Sequence, residues 1–337
     1  GLALSHDGTI MAWGQTSTSS TNMNHATRVY QYTNGAWVQM GPDIPGAITR
    51  DSEGFSVALS GDGQIVATGA PYYCSGTDAY SCSDMYKGHV RVWTWDGIAE
   101  AWVQRGADIE GESQGDQFGA TVVLSNNGNV LAAGGMEDDA AGNNAGHVRV
   151  YEWSGTAWVR RGSDIDGEYP YDYSGRGLGL SGDGSVLAIG AKQNDDGAEN
   201  AGHVRVYGWD AGQNQWERRG IDIDGEVINA YTGYELALSN DGMVLAVGEA
   251  NHGYEYSVHG YLIHNTFIGR VRVYVWQHNT EKWVQFGASI NSDPGSSVTK
   301  FGTGLALDAD GSVLAIGAYM ANSGRGLVRV YGTFRAL

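Results

Sequence analysis

The stretch Leu180-Ser-Gly-Asp-Gly-Ser-Val-Leu-Ala-Ile-Gly190 decides the fold, because it recurs with small changes along the whole 337-residue chain. Asp-Gly and Asn-Gly pairs favour tight hairpin turns, since both residues tolerate positive φ. The flanking apolar runs therefore predict two antiparallel strands in each copy. The turn occurs six times, at residues 5–8, 60–63, 125–128, 181–184, 239–242 and 308–311.

Two further phrases follow the turn and complete the repeat. The first, Arg-Val-Tyr or Arg-Val-Trp, begins at Arg28, Arg91, Arg149, Arg205, Arg272 and Arg329. The second, Trp-x-x-x-Gly-x-x-Ile, begins at Trp37, Trp102, Trp158, Trp216 and Trp283. Each phrase has the length and apolar content of one or two short strands, and no segment between them shows helical periodicity.

The repeat predicts an all-β fold, a six-bladed β-propeller of four-stranded antiparallel blades. The expected units are approximately 1–54, 55–119, 120–176, 177–234, 235–302 and 303–337, in a single domain over 1–337. The last unit ends soon after Arg-Val-Tyr, so its outer strand is expected to be absent. Its open edge, with Tyr331 and Phe334, then invites pairing with another chain. A seventh blade is the alternative.

Composition excludes several classes of protein. The chain carries 38 Asp and Glu against 20 Lys and Arg, a formal charge of −18, and 20 of the acidic residues fall in the expected loops of one face. Such a charge argues against nucleic acid as a partner. The apolar runs are too short to cross a membrane, and no membrane insertion is expected. Cys74 and Cys82 predict a local disulfide and hence an extracellular or cell-surface protein, with two free thiols as the alternative.

The order of Ala-Leu-Ser, Asp-Gly, Val-Leu-Ala-x-Gly-Ala and Gly-x-Val-Arg-Val-Tyr resembles the FG-GAP repeat of integrin-α N-terminal-like propellers. Phe118-Gly119, Phe301-Gly302 and Gly69-Ala-Pro71 match its name-giving motifs, and WD40-type blades share part of the pattern. The resemblance implies a propeller that could carry calcium sites in its turns. Four of the turns here offer one carboxylate, the turn at 125–128 offers none and the turn at 308–311 offers two. These are too few for calcium, so no metal is expected there. No cofactor is predicted, and calcium is left open only for the acidic loops 136–139 and 194–199.

The charged residues of the repeat are interpreted as structural. Arg91, Arg149 and Arg205 are expected to pair with Asp108, Asp164 and Asp222 on the neighbouring strand. His89, His147 and His203 recur in different blades, too far apart for one zinc ion to reach them all. No Ser-His-Asp, Cys-His or His-Glu-x-x-His pattern is present. The chain is therefore expected not to be an enzyme.

Residues 251–267 form the longest loop of the fifth unit and the best candidate contact site, because exposed aromatic side chains contribute strongly to interfaces. The expected binding residues are Tyr254, Tyr256, His259, Tyr261, His264 and Phe267. The alternative is a hairpin folded back on the propeller. The function expected is a structural subunit that assembles with copies of itself or another extracellular protein, for example into filaments. The alternative is a monomeric adhesion module that recognises a protein or glycan through its acidic loops.

Overall fold

The computed structural model describes residues 1–15, 25–76, 82–258, 261–265, 268–292 and 299–332, and within 254–265 only the backbone. Strands and tight turns make up nearly all of these residues. The chain is an all-β, six-bladed β-propeller with antiparallel sheets, as the repeat predicts. Among the described residues the helical content is limited to the short α1 (Ala321–Gly324).

The first three blades each contain five strands. Blade 1 has β1 (Leu2–Leu4), β2 (Ile10–Gln15), β3 (Ala26–Thr33), β4 (Ala36–Gln39) and β5 (Ile44–Pro45). Blade 2 has β6 (Ser56–Leu59), β7 (Ile65–Ala70), β8 (His89–Asp96), β9 (Ala101–Gln104) and β10 (Ile109–Glu110). Blade 3 has β11 (Phe118–Leu124), β12 (Val130–Gly135), β13 (His147–Trp153), β14 (Trp158–Arg160) and β15 (Ile165–Asp166).

The other three blades follow the same order. Blade 4 has β16 (Ser174–Leu180), β17 (Val186–Ala191), β18 (His203–Asp210), β19 (Gln215–Arg218) and β20 (Ile223–Asp224). Blade 5 has β21 (Thr232–Leu238), β22 (Val244–Glu249), β25 (Arg270–Gln277), β26 (Lys282–Gln285) and β27 (Ile290–Asn291), with a separate hairpin of β23 (Tyr254–Val258) and β24 (Tyr261–Asn265). Blade 6 has β28 (Phe301–Leu307), β29 (Val313–Ala318) and β30 (Leu327–Gly332).

The fourth strand of each complete blade differs from the expected single strand. It consists of two short pieces, such as β4 and β5, that both pair with the third strand of the blade. The glycine of Trp-x-x-x-Gly lies between the pieces and has positive φ, for example 74° at Gly41 and 87° at Gly106. The backbone therefore leaves the extended conformation there. Blade 6 has three strands in its described part, and Phe334 lies outside that part.

The serine that begins five of the six turns explains why the turn motif recurs. In blade 2, Ser60 Oγ donates to Asp62 Oδ1 at 2.6 Å and accepts the backbone N–H of Ile65 at 2.9 Å. The turns of successive blades are also linked, because the Gly61 N–H donates to the Asn126 carbonyl at 2.8 Å. These bonds satisfy backbone groups in the turn, as expected from the sequence.

Close approach of neighbouring blades explains much of the glycine content. A Cβ on Gly69 would lie 2.0 Å from the carbonyl oxygen of Gly119 in the next blade. Any side chain there would push the two strands apart. The Gly-Ala and Phe-Gly dipeptides of the repeat therefore mark backbone contacts between blades.

By their contacts the described residues divide into two compact units. The first comprises Gly1–Gly175, Gly182–Gly184 and Asp210–Trp216, and the second comprises Arg176–Ser181, Ser185–Trp209 and Glu217–Leu337. Each unit has its own apolar core. In the first, fully buried side chains include Val66, Val90 and Leu131. In the second they include Leu245 and Ile316.

Candidate functional site

The first strand of blade 5 is β21, whose register with β22 shifts between Thr232 and Leu236. A β-bulge of this kind redirects the side chains within it and is common beside functional sites. Tyr234 and Glu235 lie in this irregular stretch.

Tyr234, Glu235 and Arg176 form a small cluster in the second unit. Arg176 belongs to β16, and its Nη1 lies 3.9 Å from the Oε2 of Glu235. The Arg176 guanidinium also lies over the ring of Tyr234, 4.3 Å from the ring centroid. A cation over an aromatic face is attracted by the ring quadrupole, so Tyr234 helps to fix the position of Arg176.

Glu235 has an unusual protonation behaviour. Burial raises the pKa of its carboxyl from 4.5 to about 7, and the positive charge of Arg176 offsets part of that rise. The side chain still retains 33% of its accessible surface, so a proton can be exchanged with solvent. A carboxyl group with a pKa near neutrality is suited to general acid and base catalysis at physiological pH.

A cavity of about 630 Å³ opens beside this cluster. Its polar and aromatic lining residues are Arg176, Tyr234, Thr303, Tyr319 and Arg325, and Gly304, Gly317 and Gly326 contribute backbone. The volume is in the range of small-molecule sites. Two arginines, two tyrosine side chains and one threonine hydroxyl offer a hydroxylated or anionic ligand several hydrogen-bond partners.

A second polar cluster lies in the first unit. His89, at the start of β8, is fully buried, as are Asp51 and Glu53 in the segment before β6. His89 Nε2 lies 3.5 Å from Glu53 Oε2, and His89 Nδ1 lies 3.4 Å from Asp108 Oδ2. Arg91 Nη2 lies 2.8 Å from Glu53 Oε2. The cluster therefore combines three carboxylates with one arginine and one histidine.

The pKa directions in this second cluster follow from burial and charge. Burial raises the pKa of the Asp51 carboxyl. Burial alone would raise the pKa of Glu53, but contacts with His89 and Arg91 outweigh it and hold that pKa below its usual value. For His89, the contacts with Asp108 and Glu53 outweigh burial and raise the pKa.

The ion pairs expected between the third and fourth strands are formed with other partners in several blades. The expected pattern is seen in blade 1, where Arg28 pairs with Asp43 at 2.9 Å. Arg91 instead contacts Glu53, and Arg149 Nη1 lies 3.4 Å from Glu112. The aspartates contact groups closer to them in space, since Asp108 faces His89, Asp164 pairs with Arg160 and Asp222 pairs with Arg218.

The remaining expected site residues are distributed as follows. Tyr254, Tyr256, Tyr261 and His264 lie on the hairpin β23–β24. The alternative given above is a hairpin folded back on the propeller, and the folding back stays a prediction. His259 and Phe267 lie outside the described residues, and Tyr331 lies on β30. Their role in binding stays a prediction. Cys74 and Cys82 form the expected disulfide.

Sequence reasoning did not single out Arg176, Glu235, Asp51 or Glu53. A signal for them exists in the repeat itself. The residue two positions after the strand-entry glycine is Ser56, Thr121, Gly177 and Gly304 in other blades, but Glu235 in blade 5. A charged residue at a repeat position that otherwise holds small residues indicates a role that the fold does not require.

Comparison with solved structures places the fold among known propellers. The periplasmic gluconolactonase of Pseudomonas aeruginosa matches 98% of this chain and 88% of its own, with a TM-score of 0.56 and 14% identity. A protein from Lactobacillus plantarum matches 96% of this chain and 82% of its own, with a TM-score of 0.54 and 13% identity. The hydrazine synthase of Kuenenia stuttgartiensis matches 94% of this chain and 73% of its own, with a TM-score of 0.49 and 13% identity.

At such identities the likeness concerns the fold alone. No family model matches the chain. No curated protein matches it in sequence. The resemblance to FG-GAP propellers therefore stays a prediction. No described helix is long and apolar enough to span a membrane.

The expectation that the chain is not an enzyme, and acts as a structural or recognition protein, is corrected here. A solved propeller that matches 98% of the chain is an enzyme, a gluconolactonase. The expectation depended on the absence of a short catalytic motif in the sequence. A propeller, however, brings together residues that are distant in the chain, as Arg176 and Glu235 show.

The Cys74–Cys82 disulfide bears on the cellular compartment in which the chain folds. Disulfides are rare in cytosolic proteins, so the Cys74–Cys82 bond points to a chain that folds outside the cytoplasm. The structurally similar gluconolactonase is periplasmic, in agreement with such a compartment. The expected partners, which are copies of the chain, another extracellular protein or a glycan, stay predictions.

Proposed function

We propose that this propeller is a hydrolase that opens lactone rings of polyhydroxylated carboxylic acids. The observation that carries the proposal is the pairing of Glu235, whose pKa is about 7, with Arg176 beside a cavity of about 630 Å³. The name of the gluconolactonase that shares the fold supports the choice of substrate class. We also propose that the protein acts in an extracellular or cell-surface location, which its disulfide favours.

Glu235 would act as the general base. Its carboxylate takes a proton from a water molecule while the water oxygen forms a bond to the lactone carbonyl carbon. The ring C–O bond then breaks, and the leaving alkoxide receives the proton from Glu235. The products are a carboxylic acid and a free hydroxyl group, and no oxidant or reductant is required.

Arg176 would stabilise the negative charge that develops on the carbonyl oxygen. Its guanidinium is held between the Glu235 carboxylate and the Tyr234 ring, so little rearrangement is needed when the charge appears. Arg325, on the wall of the same cavity, would attract the carboxylate of the product. Thr303 and Tyr319 would hydrogen-bond the hydroxyl groups of a sugar acid.

The experiment compares hydrolysis of glucono-δ-lactone with that of δ-valerolactone, which lacks the hydroxyl groups, above the spontaneous rate. We expect a higher kcat/KM for the hydroxylated lactone. Arg176→Gln should lower kcat by about 10²–10³-fold, as loss of an oxyanion-stabilising group does. Glu217→Gln, which changes an exposed glutamate on β19, is the control and should leave the rate unchanged. Hydrolysis no faster than the spontaneous reaction would overturn the proposal.

A further inference from the structure

The buried cluster of blade 2 shares no residue with the site of Arg176 and Glu235, and it contains ligands of the kind that metals prefer. One ligand atom each from Asp51, Glu53 and His89 lie within 4.8 Å of one another. All three side chains are fully buried. They come from two separate segments of the first unit, so the fold itself brings them together. One imidazole with two carboxylates is a common donor set for divalent transition metals.

The hydrogen bonding of Glu53 and His89 is incomplete, whereas both carboxylate oxygens of Asp51 accept backbone N–H groups, from Ile48 and Glu53. Both carboxylate oxygens of Glu53 and both ring nitrogens of His89 lack a well-aligned hydrogen bond. Glu53 is within ion-pair distance of Arg91, at 2.8 Å, but that contact involves only one of its oxygens. Buried polar groups are normally satisfied, so unsatisfied ones in a closed cluster indicate a missing partner.

The charges of the cluster are also unbalanced. Asp51, Glu53 and Asp108 contribute three negative charges, and Arg91 contributes one positive charge. The raised pKa of His89 favours a protonated imidazole in the metal-free cluster, which offsets one of these charges. A metal bound at Nε2 replaces that proton, and the balance of the protein groups is then two negative charges. A divalent cation supplies that difference and removes the cost of burying unpaired carboxylates.

The orientation of His89 fits a metal ligand. Its Nδ1 faces Asp108 at 3.4 Å, while its Nε2 faces Glu53 at 3.5 Å. In metal-bound histidines one ring nitrogen usually faces a carboxylate and the other binds the metal. His89 has this arrangement, although neither of its two contacts is a well-aligned hydrogen bond. The ring of Tyr73 stacks on His89 with 3.9 Å between centroids and holds its plane.

We propose that Asp51, Glu53 and His89 bind a divalent transition-metal ion, with Zn²⁺ as the best fit. Bonds of about 2.1 Å at tetrahedral angles place neighbouring ligand atoms about 3.4 Å apart. The measured separation of His89 Nε2 and Glu53 Oε2 is 3.5 Å. Asp108 is then a positioning residue, and Arg91 balances the remaining charge.

A cavity lies close to the cluster on the side of Asp51. His25 Nδ1 lies 3.8 Å from Asp51 Oδ1, and His25 lines a cavity of about 720 Å³. Gly46 lines the same cavity, and a Cβ on it would lie only 2.7 Å from Asp51 Oδ1. The backbone of Gly46, which carries no side chain, therefore lies between Asp51 and the cavity.

Blade 3 provides a built-in comparison. Its histidine, His147, faces Asp138 at 3.0 Å, but the position equivalent to Glu53 is Phe118. The Nε2 of His147 accepts a hydrogen bond from Arg149 Nε at 3.1 Å, so both ring nitrogens have partners there. A variant in blade 3 thus removes a buried His–carboxylate contact without touching the proposed metal ligands.

The test uses the full chain without an affinity tag, treated with a chelator and then titrated with Zn²⁺ alone by calorimetry. We expect one ion per chain, a higher Tm with the ion, and loss of stoichiometric binding in Glu53→Gln and His89→Gln. Asp108→Asn should weaken binding by about 10–100-fold, as expected when the carboxylate that orients a metal-binding histidine is lost. Asp138→Asn in blade 3 should bind the ion like the original protein.

Absence of stoichiometric binding in the original protein would overturn the proposal, as would binding that survives both ligand substitutions. If those variants do not fold, X-ray absorption of the zinc-loaded original protein decides. A first shell of nitrogen and oxygen that includes imidazole supports the site, and a shell without imidazole overturns it. None of these readouts uses hydrolysis, so the outcome is independent of the proposed lactone chemistry.

Discussion

Glu235 shows how a single residue can depart from the pattern of its repeat. Equivalent positions carry Ser56, Thr121, Gly177 and Gly304, all of which fit the close packing of first strands. Glu235 places an acid there, and burial raises its pKa to about 7. A residue that costs stability and is not needed for the fold is a candidate for function.

The raised pKa of Glu235 predicts a pH-dependent stability difference. The native state binds a proton at Glu235 between pH 4.5 and about 7, whereas the unfolded state does not. Stability at this site therefore falls as pH rises through that range. Glu235→Gln should unfold with the same free energy as the original protein near pH 4.5. At pH 8 it should be more stable by about 1–2 kcal/mol, a value reduced for the partial exposure of the side chain.

Thermal unfolding of both proteins from pH 4.5 to pH 8 measures this difference. Glu217→Gln, on the exposed strand β19, is the control and should give the same pH profile as the original protein. A gap between Glu235→Gln and the original protein that does not change with pH would contradict the assignment.

Arg91 and Arg28 occupy the same repeat position but different environments. Arg91 is 7% exposed and pairs with the fully buried Glu53, whereas Arg28 and Asp43 form a pair at the surface. Removing one partner of a buried pair leaves an uncompensated charge. In metal-free protein, Arg91→Ala should cost about 3–5 kcal/mol, and Arg28→Ala about 1 kcal/mol or less. Chemical denaturation of the two variants checks the order, and equal losses would refute it.

At the scale of elements, tryptophans connect successive blades. Trp102 on β9 is 8% exposed, and its Nε1 donates to the Met40 carbonyl of blade 1 at 2.9 Å. Trp158 and Trp283 make the corresponding bonds to the carbonyls of Arg105 and Arg219. Each of these rings also pairs with a tryptophan on the adjacent strand, as Trp95 does with Trp102. The Trp phrase therefore recurs because it joins one blade to the preceding one.

Trp102→Phe should destabilise the protein by about 1–2 kcal/mol, since the Met40 carbonyl loses its donor while most of the packing remains. Trp37 has the same repeat position in blade 1 but is 42% exposed. Trp37→Phe is therefore the matched control and should change the free energy of unfolding by less than about 0.5 kcal/mol. Denaturant titration distinguishes the two outcomes, and an equal effect of both substitutions would exclude a connecting role for Trp102.

The elements could be predicted well from the sequence because the signals repeat. The turn motif, the apolar runs and the Arg-Val-Tyr phrase place the strands, and the structure confirms the six-bladed fold. The division of the fourth strand was missed, although the glycine that causes it stands in the quoted motif. The site was missed because Arg176 and Glu235 come from different blades, and no sequence spacing encodes their 3.9 Å contact.

At the scale of the whole molecule, the formal charge of −18 produces electrostatic repulsion that acts over longer distances than single contacts. Repulsion among like charges destabilises a compact state, and salt screens that repulsion. Raising the ionic strength from about 10 mM to about 150 mM should therefore raise the Tm by a few degrees. Sodium chloride and potassium chloride should act alike in differential scanning fluorimetry. A Tm that falls with salt would mean that attractive ion pairs dominate.

The central claim is that the chain is a hydrolase with Glu235 as its general base, and the pH dependence of glucono-δ-lactone hydrolysis tests it most directly. We predict that kcat/KM rises through an apparent pKa of about 7, the value that burial gives Glu235. Glu235→Gln should lower kcat/KM by about 10²–10⁴-fold and remove that rise. A folded Glu235→Gln variant with the rate and pH profile of the original protein would contradict the claim.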